Sequence, residues 1–92
     1  MTIGHLKKVF ARAITENHNF VAVAVVKGVQ HDPEVIVNCT TNFREKLVYY
    51  TQAYKDDCND NTLRLKNCND IQITGVESGN NLTVLFKKLG AM

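Results

Sequence analysis

The chain has no tryptophan, one proline and three cysteines in 92 residues. The cysteines, Cys39, Cys58 and Cys68, are odd in number and form no C-x-x-C pair. That argues against both a disulfide framework and the paired spacing of a structural zinc site, and the simplest state for them is free thiols. The five glycines stand alone, so no phosphate-cradling loop is present. The longest apolar run, "FVAVAVV" from Phe20 to Val26, falls far short of the ~20 residues a membrane helix needs. His5, Lys7 and Lys8 interrupt the start, so no signal-peptide core is seen there and an intracellular protein is expected. An excess of one sign of charge is lacking as well: 11 basic residues face 9 acidic ones. A net +2 is weakly basic and does not by itself mark a nucleic-acid binder.

The composition that remains is that of an ordinary globular chain, 45% hydrophobic and 22% charged. No composition shift, repeat or linker divides it, and residues 1–92 are expected to make a single domain. From Thr2 to Asn17, Ile3, Leu6, Phe10, Ala13 and Ile14 share one stripe at three- and four-residue spacing. His5, Lys8, Arg12 and Glu16 lie opposite, so the segment reads as an amphipathic helix capped by Thr2. Phe20–Lys27 is continuously apolar and rich in valine, the pattern of a strand covered on both faces. "KGVQHDPE" turns the chain, and 35–39 returns as the second strand of a hairpin.

"NFREKLVYYTQAYKDD" (42–57) reads as one helix, with Asn42 and Glu45 spaced as a capping box. At 100° per residue, Phe43, Leu47, Tyr50 and Tyr54 form the inward stripe. The adjacent tyrosines therefore part company. Tyr50 faces the core, while Val48 and Tyr49 lie outward among Glu45, Gln52 and Lys55. "TLRLK" and "IQITGV" alternate as a second hairpin, with Leu63, Leu65, Ile71 and Ile73 inward. The last segment, 81–89, aligns Leu82, Val84 and Phe86 as a strand, or Leu82, Leu85, Phe86 and Leu89 as a helix; its β-formers tilt the reading to strand. The expected class is α+β. Two helices pack on a mainly antiparallel sheet of roughly four to five strands, in the order α-β-β-α-β-β, the last segment strand or helix.

Chemistry-bearing constellations are few. Asp57, Asn59 and Asn61 occupy the first ligand positions of a calcium loop, but Thr62 stands where glycine is needed and Cys68 where a bidentate glutamate is needed. His5, His18 and His31 are far apart in sequence and fall outside any zinc spacing with Cys58 and Cys68. Cys39, at a strand end, is expected to be a small buried hydrophobe. No catalytic residue, metal ligand, cofactor or small-molecule substrate is expected, and the chain is read as a non-enzyme. Two surfaces remain. The first is Val48, Tyr49 and Gln52 on the second helix, an apolar pair on a face that should be polar, suited to a protein partner. Leu85 and Leu89 of the last segment are the alternative cover for it. The second is the charged face of the first helix, Lys8 and Arg12, which with Arg64 and Lys66 suits phosphates in a nucleic-acid-binding alternative.

"PEVIVNCTTNFREKLVYYTQAYKDD", with "TLRLK" and "IQITG" after it, resembles small uncharacterised accessory proteins of bacteriophages and prophages of Gram-positive bacteria. The resemblance spans 33–75 and carries no functional residue with it. It implies a role in the host cytoplasm as a protein that binds another protein, either as inhibitor of a host (defence) protein or as a self-associating assembly subunit.

Overall fold

A computed structural model describes residues 1–29, 32–58 and 61–91. The turn residues Gln30 and His31, and Asn59 and Asp60 of the calcium-like stretch, lie outside them. Helix α1 (Ile3–Thr15) is followed by strands β1 (Phe20–Lys27) and β2 (Glu34–Cys39) and a short 3-10 turn (Thr40–Asn42). Then come helix α2 (Phe43–Ala53), strands β3 (Tyr54–Asp56), β4 (Leu63–Leu65) and β5 (Ile71–Gly79), and helix α3 (Leu82–Lys88). The five strands form one antiparallel sheet in the order β2-β1-β5-β4-β3. The class is α+β, as the patterning implies, with one helix more than expected.

Strand alternation sorts the sheet into two unlike faces. Val21, Val23 and Val25 of β1, with Leu63, Ile73 and Val76, join Leu6, Phe10 and Ala13 of α1 and Phe43 and Tyr50 of α2 in one buried cluster. Phe10 is its hub, its ring 6.1 Å from those of both Phe43 and Tyr50. On the reverse face the middle of β1 presents Ala22 and Ala24, both fully buried, between the half-buried Phe20 and Val26 at its ends. Gly75 and Gly79 of β5 lie beside them, and α3 packs down on these small residues. A Cβ at Gly75 would lie 2.8 Å from Leu89 Cδ2, and one at Gly79 3.4 Å from Leu85 Cδ2. The small residues are what let the helix come so close.

Three local expectations need correction. The last segment is a helix, not a strand: Asn81 Oδ1 caps it by accepting from the Val84 N–H at 3.2 Å, and Leu85 is buried. Its Leu82, Leu85, Phe86, Leu89 stripe prevails over β propensity because the sheet offers a bare surface of glycine and alanine. The second helix stops at Ala53. Tyr54 turns extended and begins β3, paired with β4, so Tyr54 is buried as a strand residue and Lys55 belongs to no helix. Cys39 is exposed rather than buried, because β2 is the sheet's edge.

Strand β5 carries a bulge. Ala24 pairs with Gly75 but Val25 pairs with Ile73, which leaves Thr74 as the extra, exposed residue.

Candidate interaction surface

The outward side of α2 is built by what precedes and follows the helix. Asn42 does not cap α2; its Oδ1 accepts from the Cys39 N–H at 3.0 Å, and the expected capping box with Glu45 does not form. The 3-10 turn carries the chain off the β2 edge, and β3 receives it at the opposite edge of the sheet, so α2 bridges the two. The far end is tied down where the Ile3 N–H donates to Asp56 Oδ1 at 2.7 Å, joining β3 to the start of α1.

On this bridge Tyr50 is buried at 2% exposure, whereas Val48 is 53% and Tyr49 48% exposed, with Gln52 exposed beside them. The division between adjacent tyrosines follows the helical stripe. Leu85 and Leu89 do not cover the pair. They seal the glycine face on the other side of the sheet.

Tyr49 is braced from below. Its ring lies 5.2 Å from that of Tyr50 and 6.5 Å from that of Tyr54, both edge-on, the geometry aromatic quadrupoles favour. Lys46 Nζ sits 5.6 Å from the same ring's centroid, one turn earlier. The two tyrosines beneath are hard to ionise. Burial pushes Tyr54 up to about 12, with the neighbouring phenols Tyr49 and Tyr50 adding to it. Burial also raises Tyr50, partly offset by the neighbouring polar side chain of Asn38 and augmented by Tyr49. The outcome is a packed platform of two buried phenols with one half-exposed ring on top.

The charged surface is less free than the sequence implies. Lys8 and Arg12 are both exposed on α1, but Arg12 is paired with Glu16 one turn on. Arg64 faces inward to its own chain. Its guanidinium holds Asp57 at 3.0 Å and donates to the Asn69 carbonyl. Together with the Thr62 hydroxyl it keeps the Asp57 carboxyl below the usual range. This clamp occupies the Asp57 oxygens, the first position a calcium loop would have offered. Among the described residues no three His, Cys, Asp or Glu side chains gather where they could hold a metal. No helix among them is long and apolar enough to cross a membrane.

A cleft of about 240 Å³ escapes a reading of the sequence. It lies where the end of α1 meets the start of α2, lined by Ala13, Ile14, Asn17, His18, Thr40, Thr41, Phe43 and Arg44. Its only sequence signal is the break "ENHN", where Asn17 takes a positive φ of 57° and redirects the chain. His18 Nδ1 is 2.9 Å from Ser78 Oγ, which fixes that ring to the end of β5. Comparison with protein-family models, curated proteins and solved structures finds no match.

Proposed function

We propose that the chain is a small non-enzymatic accessory protein of the phage type that acts by binding another protein through the outward face of α2. Val48 and Tyr49 form the apolar centre of the contact and Gln52 its polar margin. The observation that supports this reading is the coexistence of exposure and packing: Tyr49 is 48% exposed yet lies edge-on to two buried rings. A side chain already packed on one side loses less entropy when a partner covers it, which is why aromatic anchors dominate binding energies. The partner is a protein of the host cell whose block would serve a phage, in line with the resemblance over residues 33–75.

The test separates folding from binding. Tyr49→Glu and Val48→Asp are compared with wild type in circular dichroism and in affinity capture from the host. The expected result is a folded variant that loses the proteins wild type retains. Capture by both variants equal to that by wild type overturns the assignment. Lys8→Ala with Arg12→Ala tests the charged face of α1 in parallel. A loss of binding there, with steep salt dependence, would move the contact to that helix and favour nucleic acid.

A further inference from the structure

The two edges of the sheet are protected very differently. At one edge β3 is short, its Lys55 and Asp56 are charged, and Asp56 is bonded to α1, all devices that discourage further pairing. At the other edge β2 has one charge, Glu34 at its first position, already paired with Lys27 at 3.3 Å, and then runs through Val35, Ile36 and Val37 with no further charge and no proline.

Hydrogen-bond parity shows which backbone groups of β2 are unused. In an antiparallel pair, successive residues point their N–H and C=O alternately toward and away from the partner strand. Cys39 sends its N–H away from β1, to Asn42 Oδ1. On the far side of β1, the Gly28 N–H donates to the Asp70 carbonyl at 2.7 Å, so even-numbered residues of that strand serve β5 and odd-numbered ones serve β2. Both facts give one answer. Glu34, Ile36 and Asn38 bond to β1 through Val25, Val23 and Val21. Val35 and Val37 aim their N–H and C=O outward.

We propose that this edge pairs with the same edge of a second copy, giving a two-fold dimer whose sheets run on into one another. The occupant follows from the self-complementarity of β2. With the axis at Ile36, Val35 of each copy faces Val37 of the other, and each such pair exchanges both backbone bonds. Ile36 then meets its own copy in the non-bonded position, where side chains come closest. That contact covers a side chain now 41% exposed. The β-branched valine pairs do the same for half-buried residues on the α3 side. The ladder has built-in ends. Pro33 has no N–H to offer, and the Cys39 N–H is already taken by Asn42. The surface is separate from Val48 and Tyr49, so it stands whether or not α2 binds a partner.

The experiment is light scattering on a sizing column, with sedimentation equilibrium up to ~1 mM protein, a concentration that detects dimers as weak as millimolar. The wild-type chain is expected at twice 10.3 kDa. Val37→Pro removes an outward N–H without touching the β1 ladder and is expected to be a folded monomer. Ile36→Lys places like charges on the axis and is expected to weaken the dimer by about tenfold or more. Tyr49→Glu is expected to leave the dimer unchanged. A wild-type monomer throughout the range overturns the proposal, as does a dimer indifferent to both edge variants. Should both variants unfold, Ile36→Cys in a background with Cys39, Cys58 and Cys68 changed to serine decides. Disulfide formation between the two copies supports the edge, and its absence under oxidation overturns it.

Discussion

The two faces of the sheet solve the same burial problem with opposite materials. Under α1 and α2, large side chains interlock: Phe10, Tyr50, Leu6 and Ile73 are among the most completely buried of the chain. Under α3, the backbone itself is the packing surface, since Ala22, Ala24, Gly75 and Gly79 have little or no side chain. A thick face gains stability from the area each side chain buries. A thin face gains it from close approach, with fewer methylenes at stake, and its helix of seven residues is too short to persist alone. The contrast implies that α1, α2 and the sheet carry most of the stability, and that α3 is the element most easily detached.

Substitutions on the two faces probe that contrast. Phe10→Ala is expected to cost the most, about 3–5 kcal/mol by denaturant midpoint, because it empties the centre of the aromatic cluster. Leu85→Ala is expected to cost about 2–3 kcal/mol, at the low end for a buried leucine, with the loss seen first as faster amide exchange in α3. Equal costs for the two would abolish the distinction between the faces. Gly75→Val is expected to cost about 1–3 kcal/mol as Leu89 is pushed aside, and amide exchange in α3 should report its loosening before the sheet responds.

The faces also differ in how they titrate. Tyr54, on the thick face, is raised from 10.0 to about 12, so its proton is held more tightly in the folded chain than in the unfolded one. The stability this gives is complete below pH 10 and is lost as pH rises through about 12. Tyr54→Phe should flatten that alkaline limb, and absorbance of tyrosinate should show late ionisation in the wild type. Asp57 is paired with Arg64, which alternation between Leu63 and Leu65 places on the thin side. Its carboxyl is depressed below 3.8, so its contribution is present above that value and fades as pH falls through the folded pKa. Arg64→Ala should blunt the acid limb alone. The smallest effect is expected outside both faces: Tyr49→Glu should change stability by about 1 kcal/mol or less, since only one side of the ring is packed.

What could be read in advance follows the same division. The α1 stripe and the continuous "FVAVAVV" run are strong signals, and the structure buries Leu6, Phe10 and Ala13 and the middle of β1 as they require, although Ile14 at the end of the stripe is 38% exposed. Tyr50 inward and Tyr49 outward follow from helical geometry alone. The thin face is nearly silent in sequence, since glycine and alanine do not announce what packs on them. That is why the α3 segment balances between strand and helix until its surroundings decide. The halt of α2 at Ala53 is equally hidden. Tyr54 satisfies a helical stripe and a strand's inward position alike, and pairing with β4 chooses between them. The edge role of β2 depends on which strands flank β1, a fact of topology that no local pattern holds.

Thr74 has a consequence for how the chain can vary in length. Upstream of it the odd-numbered Ile71 and Ile73 look toward α1, and downstream the even-numbered Val76 and Ser78 do. Removing Thr74 would bring the two rhythms into a single phase and leave every side chain of β5 aimed as it is now. Removing any residue deeper in either half would turn part of the strand inside out. The bulge is thus a seam, a point where an evolving lineage could drop a residue without rewriting the core.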